Sequence, residues 1–101
     1  MRFGLEENVI ERINAVFSFF PEIEQVVLYG SRAKGNYRIG SDIDLTLKGK
    51  ELNLTLLNAV DTKIDDLLLP YLFDISIFEQ ISNPDLVNHI ERVGKLIYEK
   101  Q

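Results

Sequence analysis

Cysteine is absent from the 101 residues, which removes disulfides, thiolate zinc sites and thiol nucleophiles together. A cysteine-free chain suits a reducing compartment, and the expected location is cytoplasmic. Long apolar runs are missing as well: no stretch approaches the roughly 18–20 residues of a membrane span. A secretory pattern is lacking too, because Arg2 is a single basic residue and Glu6, Glu7 and Glu11 interrupt the apolar positions after it. There is no internal repeat, low-complexity tract or linker. At this length the expectation is one domain, residues 1–101, with a modest core. The 46% hydrophobic content is enough for a packed globule and argues against disorder.

Positive charge is scarce: 11 basic residues face 16 acidic ones, for a formal charge of −5. Such a chain repels a nucleic acid backbone, so direct nucleic acid binding is not expected. Its distribution is uneven. Ser31 to Ser41 holds Arg32, Lys34 and Arg38 and no acid. A small basic island beside acidic residues suits a phosphate-bearing small molecule; a solvated basic loop is the bland alternative.

Periodicity divides the rest. Leu5, Val9, Ile10, Ile13, Val16, Phe17 and Phe20 recur at helical spacing, which predicts a helix over 5–19 stopped by Pro21. Gln25 to Tyr29 reads as a buried strand ending in Gly30-Ser31, with Ser31 capping a brief turn that Gly35 terminates. Asn36 to Ser41 reads as a loop. Asp42 to Leu47 alternates, with Ile43, Leu45 and Leu47 opposite Asp42, Asp44 and Thr46. Leu52 to Leu68 predicts a second long helix ended by Pro70, and Tyr71 to Phe78 alternates again. Asn83-Pro84 reads as a helix start, and Leu86, Val87, Ile90, Val93 and Ile97 mark the last helix. The expected fold is α/β (α+β): a small mixed sheet with helices packed against it in two layers, in the order α-β-(α)-β-α-β-α.

The chemistry sits in the strands. Asp42 and Asp44, two apart, project from one face about 6–7 Å from each other. Paired carboxylates repel unless a cation lies between them, and hard cations such as Mg²⁺ take such oxygen ligands and share them with phosphates. A wet strand face with two exposed acids is the alternative. Asp74 sits mid-strand in Leu72-Phe73-Asp74-Ile75-Ser76-Ile77, where a lone buried charge is costly. If its strand neighbours the first, three carboxylates meet as in a two-metal site; if it lies on a solvated edge, its charge needs no such explanation. Gly30 lets a phosphate approach the backbone without a Cβ in the way. Exposed amides, the Ser31 hydroxyl, Arg32, Lys34 and Arg38 are candidate anion contacts. An ordinary turn is the alternative there. Weaker candidates are Tyr37, which can stack on a base, and Phe19, which lies off the apolar stripe. Tyr29 reads as packing, and His89, the single histidine, falls on a polar or boundary helix face rather than reading as a base.

Taken together, Gly30-Ser31, Asp42-x-Asp44 and a further acid in the strand after the next helix resemble the DNA polymerase β-like nucleotidyltransferase superfamily. The match reads GSRAKGNYRIGSDIDL from Gly30 to Leu45. Within it the chain looks most like the MNT group, the minimal nucleotidyltransferases related to the kanamycin nucleotidyltransferase type. The resemblance implies that Gly30 and Ser31 hold the triphosphate of ATP. It also implies that Asp42, Asp44 and Asp74 are catalytic and metal-binding, taking two Mg²⁺ ions, with Mn²⁺ possible. Asp74 would bind the catalytic metal or help deprotonate the acceptor. MNT proteins are commonly paired with a small helical HEPN protein in toxin–antitoxin modules. The implied function is therefore AMP transfer to a hydroxyl of a HEPN toxin, with the partner or a second copy completing the cleft in a homo- or hetero-oligomer. A binding module that neutralises its partner by covering it, and an antibiotic-modifying nucleotidyltransferase, are the competing readings.

Overall fold

In a computed structural model that describes residues 1–101, eight elements succeed one another. They are α1 (Glu7–Ser18), β1 (Gln25–Tyr29), α2 (Gly30–Lys34), β2 (Ile43–Lys48), α3 (Leu54–Asp65), β3 (Phe73–Ile77), α4 (Pro84–Val93) and β4 (Lys95–Glu99). A short 3₁₀ turn, Phe78–Gln80, lies between β3 and α4. No helix is long and apolar enough to cross a membrane.

The strands form one sheet in the order β3-β2-β1-β4. β1 runs antiparallel to both β2 and β4, whereas β2 and β3 are parallel, joined by the α3 crossover. The mixed sheet expected from the alternating segments is therefore present. Register partners share a face, so the pairings sort the side chains. Val26, Leu28, Leu45, Leu47, Ile43, Phe73, Ile75 and Ile77 lie on one face. Val27, Tyr29, Asp44, Thr46, Asp74 and Ser76 lie on the other.

The first face is the main core. Val9, Ile10, Ile13, Val16 and Phe17 form the buried stripe of α1, and Val60 and Ile64 that of α3. Both pack on Val26, Leu28, Ile43, Leu45 and Leu47. Burial of each such aliphatic side chain contributes about 1.5–3 kcal/mol. The second face carries α4, whose Ile90 packs on Val27 and Tyr29 of β1, and the segment after β3, whose Phe78 and Ile81 pack against the same cluster. The helices thus take both faces rather than one layer; on the second face Thr46 of β2 is fully buried, while Asp74 on the β3 edge is exposed.

Several boundaries differ from the periodic reading. The largest difference is at the C-terminus, where the last helix stops at Val93 and Lys95–Glu99 forms an edge strand on β1. Ile97 lies seven residues after Ile90, so it satisfies helical spacing although it belongs to a strand. Gly94 makes the break, with φ −59° and ψ 144° outside the helical region. α1 begins at Glu7, after a bridge between Arg2 and Leu5. α3 begins after Asn53, whose side chain accepts the Leu56 N–H, and ends five residues before Pro70. Ser31 is not the cap of α2: the helix starts one residue earlier, at Gly30. The Asn83-Pro84 start is confirmed, with the Asn83 side chain accepting from the Asp85 and Leu86 amides.

Candidate functional site

The register places the candidate acids. Asp44 pairs with Asp74 across the parallel β2–β3 ladder, and on its other side with Tyr29 of β1. The two carboxylates therefore project from the same face of neighbouring strands, as the alternation predicts. That face is the one that carries α4 over β1, and it opens to solvent at Asp74 on the β3 edge. Asp42 differs. It lies one residue before β2 rather than in it, and it is exposed. Asp74 is exposed as well, because β3 is an edge strand. The two readings of Asp74, solvated edge and carboxylate cluster, therefore both describe it. The acids do not close into a ready three-ligand cage.

Nothing neutralises them. The single ion pair of the chain joins Arg2 and Glu7, at the N-terminus. Half-buried Asp44 feels the consequence: burial, then the charges of Asp74 and Asp42, push its carboxyl above the usual aspartate value, while His89 pulls the other way. On α3, partial desolvation and the charges of Asp65 and Asp74 likewise raise Asp61, although that residue is largely exposed. An all-oxygen set of mutually repelling carboxylates is the donor chemistry that a hard divalent cation such as Mg²⁺ or Mn²⁺ requires. Asp44 and Asp74 side by side, with Asp42 flanking, supply oxygen donors of that kind.

Gly30 stands against this pair. Its φ is +76°, in the left-handed region. A Cβ built on it would lie 2.3 Å from Asp44 Oδ2, where no real side-chain atom fits. Glycine here serves both the bend from β1 into α2 and the seat of the carboxylate. Ser31 comes next, half-buried.

The basic residues divide. Arg32 is 3% exposed. Its Nη1 donates to the Phe3 carbonyl at 2.8 Å, and its Nε and Nη2 donate to the Ser41 carbonyl at 3.1 and 2.8 Å. The Tyr37 and Tyr71 rings flank its guanidinium at 5.4 and 5.3 Å. Arg32 therefore ties the loop before Asp42 to α2 and to the N-terminal segment, and its donors are engaged there rather than presented to a phosphate. Ser41 closes the same loop, its Oγ accepting the Arg38 N–H at 2.8 Å. Lys34 and Arg38 are exposed. Tyr37, packed beside Arg32, is held by that contact.

Three residues that sequence reasoning left aside belong to this face. Tyr29 is 7% exposed. Burial pushes its phenol up, the neighbouring Ser76 hydroxyl pulls it down, and the charges of Asp74 and Asp44 push it up again. Ser76 Oγ donates to Thr46 Oγ1 at 2.9 Å. His89 reaches across from α4: its Nε2 accepts the Gly30 N–H at 3.1 Å, and its ring meets Tyr29 edge-on at 6.2 Å. For Tyr29 and Ser76 the period-two alternation carried the signal, since both share the acid face. His89 left none, because its contact joins residues far apart in sequence.

No enclosed cavity surrounds the carboxylates. The surface hollows are lined by residues at the far end of the sheet, beside β4 and α4, or around Arg32, Tyr37 and Tyr71. The acid face is open.

The family model described as "Polymerase beta, Nucleotidyltransferase" matches residues 11–101. The chain belongs to this family. A comparison with curated proteins finds no match. Among solved structures, this nucleotidyltransferase domain is similar to a chain of a toxin–antitoxin complex determined with AMP-PNP. The TM-score is 0.71 at 21% identity, over 96% of this chain and 76% of that one. It is also similar to a chain in the complex of tri-AMPylated Shewanella oneidensis HEPN toxin with MNT antitoxin, with TM-score 0.70 and 16% identity over 96% and 75% of the two chains. A protein assigned as a nucleotidyltransferase from Sulfolobus solfataricus aligns with TM-score 0.55 and 24% identity over 95% and 91%. At these identities the likeness establishes the nucleotidyltransferase fold, as the sequence motif implies.

Proposed function

We propose that this domain transfers the adenylyl group of ATP to a hydroxyl of a HEPN-type partner protein and acts as that partner's antitoxin. The observation that carries the reading is the in-register Asp44–Asp74 pair, un-neutralised and facing an open surface beside the Gly30 bend. Membership of the nucleotidyltransferase family supplies the reaction class. Likeness to chains of HEPN–MNT complexes, one with an AMPylated toxin, supports the partner and the transferred group. The open acid face supports a second protein as the missing wall of the cleft.

In this mechanism the Gly30-Ser31 bend receives the triphosphate, with Lys34 and Arg38 near enough in sequence to add charge. Asp42, Asp44 and Asp74 would hold two Mg²⁺ ions, which supply charge neutralisation of the pyrophosphate and a lowered pKa for the acceptor hydroxyl. The acceptor oxygen bonds to the α-phosphorus, the bond from that phosphorus to the bridging oxygen breaks, and pyrophosphate leaves in line. The hydroxyl proton passes to Asp74 or to solvent. Arg32 contributes by holding the loop that delivers Asp42.

Labelled ATP, Mg²⁺ and a HEPN-type partner test the proposal. Label is expected on the partner with the wild-type chain and none with Asp42→Asn plus Asp44→Asn. Undiminished transfer by that double variant refutes the assignment. Stable complex formation without any transfer by the wild type indicates a binding module instead.

A further inference from the structure

We propose that His89 is a positioning residue for Asp44, acting through Gly30. The inference rests on the proposed transfer reaction for its kinetic consequence but not for its structural core.

Two contacts lead from His89 to the carboxylate. The first runs through the backbone. His89 Nε2 accepts the Gly30 N–H at 3.1 Å, which fixes the Tyr29–Gly30 peptide plane. Gly30 in turn borders Asp44 so closely that the site of its missing Cβ lies 2.3 Å from Oδ2. Any rotation of that peptide changes the space in which the carboxylate sits. The second contact runs through a ring. His89 packs edge-on against Tyr29 at an interplanar angle of 79°, and Tyr29 is the register partner of Asp44 on β1.

Helix α4 is well placed for the task. Ile90, the next residue, is buried against Val27 and Tyr29 and anchors the helix on β1. The neighbouring turn therefore presents His89 to the bend from a fixed base. An accepting Nε2 carries no proton, so the imidazole proton lies on Nδ1. Groups that orient a metal ligand from outside the coordination sphere typically change affinity or activity by about 10–100-fold when removed.

The test uses the full chain and three variants. His89→Ala removes the acceptor. His89→Gln places a carbonyl oxygen near the position of Nε2, and His89→Asn is too short to reach. Nitrogen-15 spectra of the wild type are expected to show the Nδ1–H tautomer. In Ala and Asn variants the Gly30 amide is expected to lose its exchange protection and the Asp44 carboxyl carbon signal to move; in the Gln variant both stay near wild type. With labelled ATP and partner, kcat is expected to fall about 10–100-fold for Ala, with a smaller change in KM for ATP, and to recover in Gln. Wild-type Gly30 and Asp44 signals in His89→Ala overturn the proposal. So does a Gln variant that matches Ala in those signals, since that moves the effect from the Gly30 amide to the ring contact with Tyr29 and removes the stated route. A wild type that transfers no label defeats the functional reading alone, because the Gly30 and Asp44 signals still decide the role of His89.

Discussion

Replacing Gly30 by alanine separates backbone cost from site cost, because the chain contains its own control. Gly30 and Gly35 bracket α2 and have φ of +76° and +90°. Alanine at either position pays for a left-handed backbone, about 1–2 kcal/mol. In a chain of this length each 1 kcal/mol lowers Tm by about 4–8 °C. The surroundings then diverge. A Cβ at Gly35 meets nothing within 4 Å, whereas one at Gly30 falls 2.3 Å from Asp44 Oδ2 and 3.3 Å from its Cγ. The carboxylate must swing away or the bend must open. Since misplacing a reacting group by about 1 Å can cost about 100-fold in rate, Gly30→Ala is expected to lose that much transfer. Gly35→Ala keeps its activity while losing similar stability. Thermal unfolding and label transfer from ATP, measured on both variants, decide the matter. Equal transfer by the two variants, or wild-type transfer by Gly30→Ala, refutes the argument that the glycine makes room for the acid.

Asp44→Asn is expected to raise Tm by about 1–3 °C in EDTA at pH 7, the size of a few tenths of a kcal/mol. The sign comes from a carboxyl raised by burial and like charges. The native state binds the proton more tightly than the unfolded one, so stability falls as pH rises from the ordinary value of 3.8 to the raised one. The gain should therefore vanish near pH 3, and added Mg²⁺ should stabilise the wild type but not the variant; a variant less stable at pH 7 contradicts this. Arg32→Met strands the Phe3 and Ser41 carbonyls and should cost about 2–4 kcal/mol in urea unfolding, from hydrogen bonds to a charged group. Lys34→Ala and Arg38→Ala, both exposed, should stay within about 0.5 kcal/mol and raise KM for ATP instead. Thr46→Val, at a fully buried hydroxyl bonded by Ser76, should cost about 1 kcal/mol with transfer retained.

The features legible in the sequence were those that depend on local spacing. Period two put Asp44 and Asp74 opposite their apolar neighbours, and the sheet honours that alternation. The Asn83-Pro84 cap is a local device and was legible for the same reason. Arg32 shows where such reading ends. Its basic character pointed to phosphate, but its partners are the carbonyls of Phe3 and Ser41, fixed by tertiary packing that no spacing encodes. His89 is the same case at longer range. β4 escaped for a different reason: Ile97 falls at helical spacing from Ile90, while the backbone leaves the helix at Gly94.

The parallel pairing of β2 with β3 has a consequence for which changes the domain tolerates. Asp44 and Asp74 stand abreast only because the α3 crossover returns the chain in the correct parity. A single inserted or deleted residue that shifted β3 by one step would turn Asp74 into the hydrophobic interior and bring Phe73 or Ile75 to the wet side. The span from Gly49 to Leu72 supplies neither acid of the pair, yet its length sets the phase in which Asp44 and Asp74 meet. Homologues should vary there in composition far more freely than in residue number, except where a loop absorbs the surplus before the ribbon begins.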